Sequence, residues 1–355
     1  MDQYAELARS WSGGCSCFNW FTEDGKHLWG RNFDFDRLAQ GTAVTYLPAG
    51  TNYFPAGRER GMEQSSRYAA AGIGTLLIPG TPVLFEGINE KGLMGGQLYY
   101  RELAWYDPTP AFGRIPLSPP FVVIHLLSQC ASVAEAARIL EKDISLAAVP
   151  VLGTVPPLHW AFADRTGEMI IAEPDRDGLH IYRHTLGVMT NSPGYPWHRT
   201  NLLNYSGICQ EDRGEMTMGE ESLRPCFSGS GAQGLPGDWS SPSRFVRLAF
   251  LRQYCVPGAE EGEGIIRLFR MLQSAAFPLG MVRVPETKAA DYDTEVVPYD
   301  YTIYSCAACA ESLRFYWTTY QDPRPRYVDL NHLSKQTEPA QFELGGAPEF
   351  LSLSS

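Results

Sequence analysis

A cysteine, an arginine and an aspartate lie close together near the start of the chain, at Cys15, Arg31 and Asp34. A thiol has a pKa near about 8.5 and needs a base before it can act as a nucleophile. A free α-amino group titrates near about 8, so a cysteine at the start of a mature chain supplies both groups. The flexible pair Gly13-Gly14 precedes Cys15 and suits a cleavage junction. A leader of residues 1–14, removed on maturation, would expose such a nucleophile, although on composition alone a buried strand cysteine is the simpler interpretation.

The segments around these residues have the pattern of two strands joined by the dipeptide Asp24-Gly25, which favours a type I′ hairpin turn. A two-residue loop there would pair Cys15 with Asp34, and directly opposed side chains have Cβ atoms about 5 Å apart. The carboxylate of Asp34 is therefore predicted beside residue 15. In that register Arg31 points to the other face of the hairpin, unless a bulge re-aims it.

The strands and helices that must position these residues are predicted in separate runs along the chain. Strand-like stretches dominate the first third, helical spacing follows over residues 120–144, and Ser132 and Glu135 form a predicted capping box. Strands return over residues 159–190, helices over 243–254 and 263–275, and strands again over 301–319. This order predicts an α+β layered domain rather than a doubly wound parallel sheet. The Gly- and Pro-rich residues 229–242 are predicted to form a functional loop within it.

Composition narrows the class of protein. The 355 residues are 44% hydrophobic and 19% charged, as in ordinary globular chains, and the formal net charge of −11 leaves no basic surface for nucleic acid. No apolar run is long enough to cross a membrane, and the first residues lack a signal-peptide pattern, so we expect a cytoplasmic protein with no membrane partner. Eight cysteines are too few for a disulfide scaffold in a chain of this length and are expected to be reduced.

Eight motifs occur in a fixed order along most of the chain. They are Cys15, residues 30–34 (GRNFD), 89–93 (NEKGL), 158–159 (LH), 173–174 (EP), 189–193 (MTNSP) with 197–198 (WH), 235–238 (LPGD) and 243–245 (SRF). Together they resemble the choloylglycine hydrolase family of N-terminal-nucleophile amidases, which includes bile salt hydrolases and penicillin V acylases. Any one of them alone would be weak support.

The resemblance implies a fold, a reaction and a set of site residues. The fold would be a four-layer αββα sandwich with residues 15–355 in one domain, and the reaction would be hydrolysis of a linear amide through an acyl-cysteine intermediate. The implied roles are Cys15 as nucleophile, Arg31 and Asp34 beside its thiol and amine, Asn191 as oxyanion donor, Arg244 in the polar network, and Tyr99 as a backbone N–H donor near the oxyanion. No cofactor or metal is implied, the substrate would be a small amide with an apolar acyl group, and the protein would be a homotetramer.

Within that family the sequence resembles penicillin V acylases more than bile salt hydrolases. Tyr99 stands where bile salt hydrolases usually have asparagine, and residues 92–100 and 187–195 look closer to the acylases. We therefore predict a penicillin V acylase-like enzyme, with bile salt hydrolysis as the alternative. Both phenoxyacetyl and steroid acyl groups require a largely apolar pocket.

Three other hypotheses remain open from the residues alone. Cys15-x-Cys17 with Cys306-x-x-Cys309 could hold a structural zinc, although this is not the usual spacing of zinc ligands. A papain-like protease would need a distant base such as His159 or His198. A non-catalytic binding protein results if the leader is never removed, and the fourteen residues before Cys15 are more than family members usually carry.

Overall fold

Two antiparallel sheets lie face to face at the centre of the structure. The computed structural model describes residues 13–58, 62–78, 80–285, 291–294 and 296–354. Most of the predicted leader, residues 1–12, lies outside this range. The first sheet consists, in spatial order, of β14 (Val188–Met189), β1 (Gly14–Phe21), β2 (His27–Phe35), β18 (Tyr299–Cys309), β19 (Arg314–Thr319) and β20 (Arg326–Asp329), and β17 (Val282–Arg283) pairs with β18.

The second sheet has eight strands among the described residues. In spatial order they are β13 (Gly178–Tyr182), β12 (Met169–Asp175), β11 (Leu158–Ala163), β8 (Met94–Tyr99), β7 (Val83–Asn89), β6 (Ala70–Thr75), β3 (Ala43–Leu47) and β21 (Ala340–Phe342). Three smaller two-stranded pairs lie outside both sheets: β4 (Asn52–Tyr53) with β5 (Gln64–Ser65), β9 (Ile115–Leu117) with β10 (Ile144–Leu146), and β15 (Met216–Met218) with β16 (Glu221–Leu223).

Helices cover the outer face of each sheet. Helices α4 (Ser241–Tyr254) and α5 (Glu261–Ala275) pack on the first sheet, and α1 (Val122–Gln129) and α2 (Val133–Arg138) pack on the second. The shorter helices are α3 (Tyr195–Asn201) and α6 (Leu330–Leu333), with 3₁₀ turns at Pro119–Phe121, Leu202–Tyr205 and Ser230–Ala232 and a π turn at Ile139–Asp143. The predicted four-layer αββα sandwich is confirmed, and no helix among the described residues is long and apolar enough to span a bilayer.

Burial on both faces explains why central strands such as β6 (AAGIGT) and β11 (LHWAFA) are largely apolar. One apolar cluster joins the two sheets and the α4–α5 layer, and a second lies between the second sheet and the α1–α2 layer. Close packing also requires glycine at some positions. A Cβ at Gly30 would lie 2.3 Å from Leu268 of α5, which fixes the helix-facing side of β2. The predicted capping box is present at α2, where the Glu135 N–H donates to Ser132 Oγ at 3.3 Å.

The register predicted for the first hairpin is wrong by one residue. Cys15 pairs with Phe33, and Gly14 pairs with Asp34. The loop contains three residues rather than two, because the Thr22 N–H donates to Lys26 O and the Gly25 N–H donates to Thr22 O. Gly25 has a φ of 82° and takes the left-handed position that closes a three-residue hairpin loop.

This shift changes which residues share a face. Arg31 pairs with Cys17 and therefore projects toward the second sheet on the same side as Cys15, with no bulge in the hairpin. Asp34 projects to the helix side. The register shift that the structure does contain on β2 lies in its other partner, β18, between Thr302 and Tyr304.

Candidate active site

The thiol of Cys15 lies at the wall of a buried cavity between the layers. Its side chain is 5% exposed, and it lines a cavity of about 190 Å³. Arg31 Nη2 donates to Cys15 Sγ at 3.2 Å. Burial raises the pKa of the Cys15 thiol, and the Arg31 guanidinium opposes this by favouring the thiolate. Arg31 is thus the cation that stabilises the reactive form of the sulfur.

A glutamate that the sequence analysis did not select holds Arg31 in place. Arg31 Nη1 forms an ion pair with Glu86 Oε2 and also donates to Phe85 O at 3.2 Å. Both charged side chains are buried, so each stabilises the other in a site without bulk water. The only signal in the sequence is a single carboxylate inside the apolar strand β7.

The peptide group of Cys15 is held by two residues from distant parts of the chain. The Cys15 N–H donates to Asn191 Oδ1 at 2.9 Å, and Arg244 Nη1 donates to Cys15 O at 2.6 Å. Arg244 Nη2 also donates to Asn191 Oδ1 at 2.7 Å. The structure therefore brings together Cys15, Asn191 and Arg244, which the resemblance had placed in one site.

Asp34 lies on the other side of the same strand pair. Its carboxylate oxygen Oδ1 accepts a hydrogen bond from Thr302 Oγ1, while Oδ2 is buried and has no hydrogen-bond partner among the described residues. Burial raises the pKa of Asp34 to about 7, although the nearby Arg244 guanidinium opposes the shift. Because Gly14 is its partner in the hairpin, Asp34 is next to the backbone that joins Gly14 to Cys15. Its backbone N–H also favours the thiolate of Cys15, whereas its carboxylate charge raises the pKa of that thiol.

Asn191 is fixed through both its side chain and its backbone. Its Nδ2 donates to Tyr99 O at 2.8 Å. Its own N–H donates to Ser241 Oγ at 3.0 Å, and Ser241 Oγ donates back to Asn191 O at 2.9 Å. Tyr99 thus contacts Asn191 through its carbonyl oxygen. Its role as a backbone N–H donor near the oxyanion stays a prediction.

His198 supports the same loop and does not contact the thiol. Its Nε2 lies 2.9 Å from Asn191 O, and burial lowers the pKa of His198 to about 4. The imidazole is therefore neutral near pH 7 and donates to the carbonyl. The other histidine considered, His159, lies 3.3 Å from Glu173 through Nδ1. Neither contact fits the base of a papain-like protease.

The glycine- and proline-rich loop at residues 229–242 serves the site. Arg244 Nε donates to the carbonyl oxygen of Trp239 at 2.8 Å, and Arg244 Nη1 also donates to Ser16 Oγ at 2.7 Å. The loop therefore orients the guanidinium that holds the Cys15 carbonyl. Residues 241–242 of the predicted loop already belong to α4, and the functional role of the loop stays a prediction.

The thiols of the zinc hypothesis do not form a metal site. Among the described residues, the one group of three or more potential ligands with atoms close enough for a single ion is Asp175, Asp177 and His180. Cys17 is buried beside Arg31 in the sheet and does not line the cavity, and burial raises its thiol pKa far above the usual value. Cys15 is therefore the better placed nucleophile.

Comparison with known proteins agrees with this geometry. Residues 15–339 match the family model described as linear amide C-N hydrolases, choloylglycine hydrolase family. A bile salt hydrolase/transferase from Clostridium perfringens is 30% identical over 312 residues, covering 87% of this chain and 90% of the relative. The crystal structure of a variant of the conjugated bile acid hydrolase from the same organism has a TM-score of 0.84 at 26% identity, covering 96% of this chain and 100% of that one.

The penicillin V acylase relative is more distant. The enzyme from Pectobacterium atrosepticum is 24% identical over 268 residues, covering 70% of this chain and 62% of the relative. The similarities therefore favour the bile salt alternative over the penicillin V acylase preference drawn from Tyr99.

Proposed function

The chain belongs to the choloylglycine hydrolase family of linear amide C–N hydrolases, and we propose that it cleaves conjugated bile acids with Cys15 as the nucleophile. The observation that carries this proposal is the convergence of Arg31 on the Cys15 sulfur and of Asn191 and Arg244 on the Cys15 peptide group, at the wall of one apolar cavity. This arrangement supplies a nucleophile, a cation that favours its thiolate and an amide donor for developing negative charge.

In the proposed reaction, Cys15 Sγ attacks the carbonyl carbon of the substrate amide while its proton passes to the α-amine of residue 15. The oxygen of the tetrahedral intermediate accepts hydrogen bonds from Asn191 Nδ2 and from the Tyr99 N–H. The other hydrogen of Asn191 Nδ2 is donated to Tyr99 O. The amine then protonates the leaving nitrogen, the C–N bond breaks and a thioester forms. Water, deprotonated by the same amine, hydrolyses the thioester and releases the acid.

This chemistry requires removal of residues 1–14. In the unprocessed chain the nitrogen of Cys15 is a peptide nitrogen that donates to Asn191, and its lone pair is delocalised into the carbonyl, so it is not a base. Gly13 also lines the cavity, so this residue of the leader lies beside the substrate site. Cleavage of the Gly14–Cys15 bond frees an amine next to the unpartnered Oδ2 of Asp34.

The preference for a steroid acyl group over phenoxyacetyl is supported by the relatives. Those with bile salt names match at higher identity and over more of their length than the penicillin V acylase. Phe33 of the first sheet, Val83 of the second and Leu77, which follows β6, line the cavity with apolar surface, as burial of a hydrocarbon acyl group requires.

The test is an activity panel on protein whose intact mass shows that it begins at Cys15. We expect a higher kcat/KM for glycine- and taurine-conjugated bile acids than for penicillin V. N-acyl homoserine lactones are the third class of substrate in the panel. Cys15→Ser should lose most of the activity because a hydroxyl is a poorer nucleophile near neutral pH. If the serine variant also fails to mature, the cleavage is performed by residue 15, whereas normal trimming indicates a host peptidase. Full activity of protein that retains residues 1–14 would refute the mechanism.

A further inference from the structure

We infer that Gln97 is a specificity-determining residue that hydrogen-bonds a hydroxyl group on the acyl part of the substrate. This inference rests on the proposed function and deepens it, because it separates hydroxylated acyl groups from plain hydrocarbon ones. Gln97 lies on β8, lines the cavity that contains Cys15 and is 8% exposed. Its side-chain oxygen Oε1 is buried without a hydrogen-bond partner among the described residues.

A buried amide without a partner is costly unless a ligand satisfies it. Leaving such a group unpaired lowers the stability of the folded protein. A leucine or methionine of similar size would fill the same wall at no such cost. Oε1 itself is covered by protein atoms, and a rotation of the terminal amide turns it toward the cavity, where a ligand hydroxyl that donates to it would remove the penalty. The polarity of Gln97 thus has a reason in the bound state.

Other polar groups on the cavity wall are already engaged by the protein. Arg37 forms ion pairs with Asp36 and Asp293. Thr75 Oγ1 donates to Gln40 O at 2.9 Å. These groups have partners before any substrate binds.

Two further polar groups of the wall have neighbours of their own. Thr154 Oγ1 donates to Val151 O at 3.2 Å. The Tyr292 hydroxyl is near the Thr154 side chain, but it is buried without a well-formed hydrogen bond among the described residues, as Gln97 Oε1 is. The free oxygen of Asp34 adjoins the Gly14–Cys15 backbone. The amide of Gln97 and the hydroxyl of Tyr292 are thus the polar groups of this wall that a ligand can satisfy, and Gln97 is the one on β8, the strand that ends at Tyr99.

The position of Gln97 indicates which hydroxyl it meets. Residues two apart on a strand project from the same face, about 7 Å from each other. Tyr99, two residues further along β8, accepts a hydrogen bond from Asn191 at the end of the cavity where the amide reacts. The hydroxyl that Gln97 recognises thus lies on the acyl group, a short distance from the amide that reacts. On a bile acid this corresponds to the 7α- or 12α-hydroxyl of the middle rings, not to the 3α-hydroxyl at the far end.

A purely structural role for Gln97 would involve its neighbour Trp160. The two residues are directly paired across β8 and β11, and the indole N–H of Trp160 also lacks a partner among the described residues. A water molecule or a small rotation could join them. Substrate discrimination separates the two roles, since a bond between Gln97 and Trp160 has no reason to depend on a hydroxyl of the substrate.

The experiment compares mature wild-type protein, Gln97→Leu and the control Gln129→Leu. Gln129 is remote from the cavity wall, and its amide donates to Ser65 O. The substrates are glycocholate, glycodeoxycholate, which lacks the 7α-hydroxyl, and glycochenodeoxycholate, which lacks the 12α-hydroxyl. Ratios of kcat/KM within one protein cancel any difference in the amount of correctly folded enzyme.

We expect wild type and Gln129→Leu to prefer glycocholate over one of the two deoxy substrates, and Gln97→Leu to lose that preference by about tenfold or more. The substrate whose ratio changes identifies the hydroxyl. Unchanged ratios for both pairs in Gln97→Leu, whether or not its melting temperature falls, would overturn the inference and leave the proposed function standing. If the wild-type protein hydrolyses none of the three conjugates, the proposed function fails and the inference fails with it.

Discussion

The two faces of strand β1 place different neighbours around Cys15. On the face toward the second sheet, the sulfur of Cys15 meets Arg31, whose charge is balanced by Glu86. On the face toward the helices, the backbone of residues 14 and 15 meets Arg244, which donates to Cys15 O, and Asp34, whose pKa is raised by burial. The first face carries the ion pair of Arg31 and Glu86, and the second carries Asp34, a carboxyl group that can change its protonation state.

This difference suits the two chemical groups of an N-terminal cysteine. A thiolate needs a permanent cation, and a buried Arg–Glu pair fixes that cation with little freedom. An amine that must accept and return a proton is better served by a neighbour that titrates near neutral pH. The strand assigns the two tasks to opposite faces, and the charges of Arg31 and Asp34 also act across it on the pKa values of Asp34 and Cys15.

The largest expected effect concerns the ion pair on the thiol face. Glu86→Leu leaves the Arg31 guanidinium buried without its counter-charge, and we expect a loss of about 3–5 kcal/mol in the free energy of unfolding. Urea denaturation of the variant measures it. The matched control is Glu263→Leu, which breaks the exposed pair with Arg267 and should cost less than about 1 kcal/mol. Equal losses of unfolding free energy in the two variants would show that the buried pair of Glu86 and Arg31 contributes no more than an exposed pair.

A smaller effect is expected on the reactivity of the thiol. The Arg31 charge opposes the rise in the Cys15 pKa, so Arg31→Gln should raise that pKa further and slow alkylation by iodoacetamide at pH 7.5 by about tenfold or more. Peptide mass mapping distinguishes alkylation of Cys15 from that of Cys17. The double variant Arg31→Gln/Glu86→Gln removes both charges and controls for the unpaired glutamate. A pH profile of alkylation that does not move in either variant would contradict the role given to Arg31.

The smallest effect per pH unit concerns the helix-side face, and it is visible in unprocessed protein. The folded pKa of Asp34 is about 7 against an ordinary value of 3.8, so the native state binds a proton that the unfolded chain has released. Its contribution to stability is therefore fully present below about pH 4 and is lost as the pH rises toward 7, at up to about 1.4 kcal/mol per unit. Cys15→Ala protein that retains residues 1–14 should show this slope in urea titrations. Adding Asp34→Asn should flatten it, and identical slopes would place the titration elsewhere.

Much of the fold could be predicted from the sequence because its signals are local or ordered. The capping box at Ser132 and Glu135 and the alternation of strand and helix runs depend on neighbouring residues, and the ordered motifs carry the layer arrangement. The hairpin register could not be predicted in the same way. The dipeptide Asp24-Gly25 suits a two-residue loop and equally a three-residue loop that ends in a left-handed glycine, and a difference of one residue exchanges the faces.

The site was predictable in part for a similar reason. Cys15, Asn191 and Arg244 belong to recognisable motifs, whereas Glu86 is explained only by its contact with Arg31, 55 residues away. Tyr99 was the basis of the penicillin V acylase preference, and the similarities support the bile salt alternative better. Its hydrogen bond with Asn191 uses the backbone carbonyl, which every residue type possesses, while Tyr99 itself lines the cavity.

The sharing of Asn191 among several partners has a consequence for the order of events during folding. Its hydrogen bonds join β1, the end of β8 and helix α4, and the bond from Arg244 to Cys15 spans 229 positions of the chain. Contacts of such sequence separation form slowly, because the entropy of closing long loops is lost before the contacts are made. The groups around the Gly14–Cys15 bond therefore assemble only when both sheets and α4 are in place. A nascent or misfolded chain lacks the arrangement that would activate its thiol, so the enzyme's chemistry is switched on by the completion of its own fold.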